Sequence, residues 1–273
     1  MAREVNRSRC IFCKQNSTAS GSVEHIVPES LGNKSHVLPR GIVCDGCNNY
    51  FASKVEKMFL ESGAITSLRF HESLPSKKGR IPSMSGILSP NYPVRVYKYP
   101  IGSPYIGLVD MPQEAFEHML QKDRNEIVFP ASGGPPDDFV VSRLLGKMAI
   151  EAIAQRLMNY SGGVEYVVSE NQLDLLRNHA RYGSTRHWPY HLRRIYPPDR
   201  KITDPDDKAL QTIFEYDLLY TPMGELYFII AIFGLEMAIN VGGPELEGYL
   251  DWLKTTDGVS PLYFGKNEGW TGD

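Results

Sequence analysis

All four cysteines of this 273-residue chain lie within its first fifty residues, as two C-x-x-C pairs: Cys10 with Cys13, and Cys44 with Cys47. Two short knuckles that present four sulfurs match the tetrahedral shell of zinc. One metal bound by all four would close a thirty-residue excursion and bring its end back beside its beginning. Four thiolates fill the coordination shell, so such a zinc is structural and has no open position for chemistry. The disulfide reading needs an oxidising compartment, and a thioredoxin-like redox site needs one pair in a βαβ setting. Residues 1–7 lack the apolar core of a secretory signal. The expected compartment is therefore the reducing cytoplasm, where paired cysteines more often bind metal.

The remainder reads as an ordinary globular protein. A hydrophobic fraction of 42% and a charged fraction of 22% argue against disorder. No run of about 18 apolar residues is present, so no membrane span is expected. The strongest apolar stretch, 226–239, is interrupted by Gly234 and Glu236. The pattern predicts an α+β chain in three parts: a zinc-stapled module over 1–62, a connector with short strands over 63–136, and an α+β domain with an antiparallel sheet over 137–273. Within the module, Phe51, Val55, Met58 and Phe59 have helical spacing, which predicts a helix from Cys44 or Asp45 to Ser62 with Gly63 as its C-cap. Residues 139–158 are apolar nearly all round and predict a buried helix. A further helix is expected over 170–180 with Ser169 as N-cap. Residues 213–220, 225–232 and 235–241 predict an antiparallel meander, with a turn at 221–224.

Between the cysteine pairs stand Glu24 and His25, and Asn48 directly follows Cys47. If the excursion is a hairpin packed on the helix that begins at Cys44, these three residues converge. Carboxylate and amide oxygens suit a hard divalent cation such as Mg²⁺ or Mn²⁺. An imidazole with an ordinary pKa near 6.5 can take a proton from water at neutral pH. Phosphodiester hydrolysis uses that combination. Each residue also has a plain structural reading, Glu24 and His25 as surface or core groups and Asn48 as a helix cap. The order of motifs is more specific than any one of them.

Three matching stretches, C-I-F-C, S-V-E-H-I-V-P-E-S-L-G-N and G-I-V-C-D-G-C-N-N-Y-F-A-S-K-V-E, make residues 10–56 resemble the HNH endonuclease superfamily in its zinc-knuckle, type-5 branch. The resemblance implies a ββα-metal fold with one catalytic divalent cation. It makes His25 the general base and places Glu24 and Asn48 on the cation, Glu24 standing where the wider superfamily usually has Asp. Two departures follow. Arg40-Gly41 occupy the place of the motif's middle asparagine, and the terminal histidine on the helix is missing. Glu56 is a candidate for that last ligand, with a solvated helix charge as its alternative; Asn49 is a candidate to exchange roles with Asn48.

The expected partner is nucleic acid, double-stranded DNA through the resemblance. Residues 1–60 hold eight Lys or Arg against five Asp or Glu, so a net +3 there stands against −3 for the whole chain. A polyanion would be drawn to that end. Residues 181–201 interleave basic and aromatic side chains, and Arg186, His187, Arg193 and Arg194 are candidate nucleic-acid contacts. The competing reading is a surface loop with Trp188 and Tyr190 anchored in the core. The resulting expectation is an HNH endonuclease, in a defence or mobile-element setting, whose C-terminal domain selects substrate or self-associates into a homo-oligomer. The alternatives are a non-catalytic zinc-ribbon binding module and a ligand-switched nuclease sensor.

Overall fold

The computed structural model describes residues 9–99, 106–129, 136–198, 200, 202–203, 209–210 and 212–264. Residues 1–7, Asp199 and Lys201 lie outside these. The first elements are β1 (Glu24–His25), β2 (Val37–Leu38), α1 (Asp45–Phe51), α2 (Lys57–Leu60) and α3 (Gly63–His71). Then follow β3 (Met84–Leu88), β4 (Tyr92–Tyr99), β5 (Ile106–Asp110), α4 (Gln113–Leu120) and β6 (Ile127–Val128). The last part holds α5 (Asp138–Leu157), α6 (Gly163–Ser169), α7 (Asp174–Tyr182) and β7 (His191–Arg194). It ends with β8 (Ile202–Thr203), β9 (Ala209–Leu210), β10 (Phe214–Tyr220), β11 (Leu226–Ile232), β12 (Leu235–Asn240) and α8 (Glu247–Thr255). Helices and antiparallel sheets are thus mixed, as an α+β chain requires.

Contacts group the chain into two compact units that do not follow chain order. One contains residues 1–27, 35–55 and 138–273; the other contains 28–34 and 56–137. The cysteine pairs and the Glu24–His25 strand therefore share a unit with the C-terminal helices and sheet.

The first unit is built around α5. Residues 140–154 of this helix are all buried, which agrees with its apolar sequence. The sheet order is β10-β11-β12-β7, all antiparallel. Side chains alternate along each strand. Tyr227, Ile229 and Ala231 form a cluster on one face with Tyr249 of α8. On the other face, Tyr216 donates to Gln155 of α5 at 2.7 Å. Because both faces are covered, β11 is almost wholly buried and reads as an unbroken apolar run. Helix α7 crosses α5 at Gly146, where a Cβ would stand 2.9 Å from Leu176 Cδ1. The meander matches the predicted strands to within a residue or two, and Thr221 N donates to Glu225 O to close its turn.

The second unit carries a sheet in the order β5-β4-β3-β6. Leu88, Val94 and Ala115 are its buried centre, so α4 packs on this sheet.

Two helix boundaries differ from expectation. The helix predicted to run to Ser62 consists of α1, a π-helical turn over Ala52–Glu56, and α2, which ends at Leu60. Ser62 takes extended backbone, with φ −59° and ψ 147°, and Gly63 opens α3 instead of capping the preceding helix. Ser169 does not cap the next predicted helix, because it closes α6 and its hydroxyl is spent on Glu165 Oε1 at 3.0 Å. Glu170 takes that position instead, its carboxylate accepting from Gln172 N before a 3-10 turn leads into α7.

Candidate functional site

The Sγ atoms of Cys10, Cys13, Cys44 and Cys47 all lie within 4.8 Å of one another. Among the described residues this is the one cluster of three or more metal-ligating side chains. The knuckle geometry is local in origin. Cys44 is the N-cap of α1, and its sulfur accepts from Cys47 N at 3.4 Å, while Cys10 Sγ accepts from Phe12 N at 3.4 Å and Cys44 N at 3.3 Å. Such N–H···S bonds orient thiolates and spread their charge. Hydrogen bonding with Cys47 holds the Cys10 thiol down at about 5, and the same contact, with burial, pushes Cys47 up. Burial raises Cys13 to about 11. Protons are thus shared among sulfurs too close to ionise together without a cation. The donor set and spacing fit zinc.

Helix α7 supports this cluster from the far end of the sequence. Arg181 Nε donates to Cys47 Sγ at 3.3 Å, and its guanidinium lies 3.8 Å from the centroid of the Tyr50 ring. One turn earlier, Arg177 is 1% exposed and donates to Ile11 O at 2.7 Å, and also to Val167 O and Asp174. Arg177→Met is expected to strand the buried Ile11 and Val167 carbonyls and cost about 2–3 kcal/mol, read as a lower midpoint in urea unfolding. An unchanged midpoint would show that the clasp contributes nothing to stability.

The excursion between the knuckles is a short hairpin. Strand β1 pairs with β2, Glu24 opposite Leu38 and His25 opposite Val37, and Ile26 N extends the ladder to His36 O at 3.1 Å. Alternation puts Glu24, 5% exposed, on the inward face beside the buried Ile26 and Leu38; His25 and Val37 take the other face and are half-buried. The first turn of α1 grips the strand's approach. Asp45 accepts from Ser22 N at 3.0 Å and Gly21 N at 3.2 Å as well as from the Ser22 hydroxyl, and these bonds hold its carboxyl below the usual range. Asn48 Nδ2 donates to Val23 O at 2.9 Å, one residue before Glu24. That bond uses the amide nitrogen, and Oδ1 is the acceptor end of the same side chain. Where the motif's middle asparagine is missing, Gly41 takes a φ of 86° and its carbonyl accepts from the buried Ser17 hydroxyl.

Below the hairpin lies a feature that sequence reasoning missed. Helix α5 carries Arg143, Lys147, Glu151 and Gln155 at intervals of four, so they form one stripe along a helix otherwise packed with apolar groups. Arg143 and Lys147 are joined directly to the N-terminal segment, Glu151 through Lys147 and Gln155 through Tyr216. Arg143 donates to Tyr50 Oη at 2.8 Å. Lys147, fully buried, lies 2.7 Å from Glu24 Oε1 and 3.1 Å from Glu151 Oε2, and donates to His25 O at 2.9 Å. Gln155 accepts from Tyr216, whose hydroxyl also meets His36 Nδ1 at 2.8 Å. Burial and the Glu151 charge raise Tyr216 to about 12, so it remains a neutral phenol. The available signal was the four-residue spacing of polar groups in an apolar helix.

The other predicted residues are placed as follows. Asn49 is exposed on α1. Glu56 closes the π-helical turn and belongs to the second compact unit. Arg186 and His187 are exposed, whereas Trp188 is buried and donates to Asn240 O at 3.2 Å. Arg193 is fastened to the buried Glu236 and to Gly258 O at 2.7 Å, and Arg194 donates to Phe233 O at 3.1 Å. These two arginines therefore already serve the fold of the β7–β12 edge.

Residues 10–62 match the family model described as HNH endonuclease, and the four-cysteine cluster fits a zinc-knuckle branch. Neither a curated protein nor a solved structure matches the chain. The family match and the sulfur cluster together point to a nuclease or a zinc-binding nucleic-acid module, with nucleic acid as the interacting partner. No helix among the described residues is long and apolar enough to cross a membrane.

Proposed function

We propose that the chain is a metal-dependent endonuclease that hydrolyses phosphodiester bonds in double-stranded DNA. The observation that carries this reading is the 2.9 Å bond from Asn48 to Val23 O, which joins the first turn of α1 to the strand bearing Glu24 and His25 beside the sulfur cluster. Glu24 and Asn48 offer hard oxygen donors that suit Mg²⁺ or Mn²⁺. Such a cation supplies electrostatic stabilisation of charge developing on the phosphate and on the leaving oxygen. The side chains do the rest. His25, on the half-buried face of β1, takes the proton of the attacking water through its imidazole. Asn48 holds strand and helix in register, and the four cysteines keep the excursion closed on zinc. Asn49 remains a proposal for a further cation ligand. Arg186 and His187 are the better-exposed proposals for phosphate contact.

A second reading has one observation in its favour. The Lys147 ammonium 2.7 Å from Glu24 gives that carboxylate a counter-ion within the protein, as a non-catalytic zinc module that merely binds nucleic acid would allow. Plasmid incubated with zinc-loaded protein separates the readings. Nicking or linearisation with Mg²⁺ or Mn²⁺, abolished by chelating the added cation while zinc is retained, supports the nuclease. Retarded but uncut plasmid under every divalent cation supports the binding module. A defence or mobile-element role is the setting we propose for such an enzyme.

A further inference from the structure

We infer that Lys147 is a positioning residue of the nuclease centre, supplied by helix α5 from outside the segment that matches the HNH family. The inference rests on the nuclease reading of Glu24 and His25. One ammonium makes three contacts: Glu24 Oε1 at 2.7 Å, His25 O at 2.9 Å and Glu151 Oε2 at 3.1 Å. It therefore holds the side chain of the proposed cation ligand and the backbone of the proposed base, two consecutive residues on a strand only two residues long. So short a strand has little ladder of its own to fix it. Its register is specified by the Asn48 and Asp45 bonds on one side and by Lys147 on the other.

The side chains that pay for this arrangement are unusual in a fold of this size. Lys147 and Glu151 are both 0% exposed. A buried lysine is costly unless fully paired, and apolar replacement of such groups is often neutral or stabilising. An arrangement kept for stability alone has a cheaper apolar solution in a helix whose buried face is mostly apolar. The neighbours in the stripe act in the same direction: Arg143 fixes Tyr50 on α1, and Gln155 with Tyr216 fixes His36 at the end of the hairpin. Helix α5 is thus a rigid rail against which the catalytic hairpin is set. Supporting groups of this kind, when removed, commonly cost 10–100-fold in metal affinity or activity.

The test uses the full zinc-loaded chain with Lys147→Met, Lys147→Arg and Glu151→Gln. Cleavage of plasmid by Lys147→Met is expected to fall about 100-fold in kcat, with KM for DNA changed less than about threefold and zinc content unchanged. Mn²⁺ binding, followed by the electron paramagnetic signal of the free ion, is expected to change at least about tenfold in Kd. Lys147→Arg, which keeps the charge and the donors, should recover at least about a tenth of the wild-type rate. Should Lys147→Met fail to fold, Glu151→Gln decides, because it leaves Lys147 in place without its anchor; a fall of about tenfold in kcat is expected. Wild-type rate and Mn²⁺ affinity in folded Lys147→Met, or in Glu151→Gln if that is the folded variant, overturn the positioning role while leaving the nuclease reading intact. A wild type that neither cuts nor binds Mn²⁺ removes the nuclease reading and this inference together.

Discussion

Replacing Cys44 with serine is expected to cost the protein its zinc and the order of residues 9–50. Cys44 has two jobs: it contributes one of four sulfurs clustered within 4.8 Å, and its Sγ caps α1 by accepting from Cys47 N. Serine can replace the cap but not the soft ligand. Structural zinc in small modules provides on the order of 10–16 kcal/mol of apparent binding free energy, and that energy is also folding energy. The ladder within the loop from Cys13 to Cys44 is short, because β1 and β2 pair over only two residues each. Metal analysis should give about one zinc per wild-type chain and markedly less in Cys44→Ser. Limited proteolysis should then cut within the hairpin, while the sheet of β10, β11 and β12, with its own apolar core, resists. A zinc-free chain that folds and resists proteolysis like wild type would remove the scaffold argument.

His25→Ala should affect chemistry and leave the structure alone. The half-buried ring lies on the face of β1 opposite the buried Glu24 and Ile26, so its removal costs less packing than a core truncation would. A general base contributes about 10²–10⁴-fold to rate. The expected loss is of that size and falls on kcat, since proton removal is felt in the transition state more than in substrate binding. Zinc content should match wild type, because the sulfur cluster is built from Cys10, Cys13, Cys44 and Cys47. The pairing of lost cleavage with retained zinc distinguishes this variant from Cys44→Ser, in which both fall.

Both outcomes concern parts of the chain that could be read directly from sequence, and the reason is their locality. A C-x-x-C knuckle is a four-residue object, and the order of C-x-x-C, Glu-His and Cys-Asn is preserved whatever the rest of the chain does. The contacts of α5 and α7 are different in kind. Arg143 meets Tyr50 across 93 residues, Lys147 meets His25 across 122, and Arg181 meets Cys47 across 134. Sequence periodicity identified α5 as a buried helix but carried no information about which surface would bury it. The polar stripe became meaningful only once the hairpin was seen against it. Composition was a weaker guide still in the basic–aromatic stretch. Trp188 is a core anchor, and Arg193 and Arg194 are engaged by Glu236 and by backbone carbonyls. A count of charges does not separate arginines that face solvent from arginines that fasten a sheet edge.

Helix ends illustrate the same limit on a smaller scale. Apolar spacing from Phe51 to Phe59 suggested one continuous helix, yet the π-helical turn at Ala52–Glu56 interrupts it. That turn adds a residue to the local winding, a shift of face that a regular 3.6-residue pattern does not anticipate. Ser169 was a reasonable cap by residue type, but Glu165 and Arg9 already engage its hydroxyl.

The proposed division of labour gives zinc and a second, hard cation separate jobs, one holding the hairpin and the other serving His25 in hydrolysis. Its most direct test is plasmid cleavage by zinc-matched wild-type and His25→Ala protein, titrated side by side with Mg²⁺ and Mn²⁺. Cation-dependent cutting by wild type and a loss of at least about a hundredfold in the variant are expected. Equal cutting by both proteins would contradict that division.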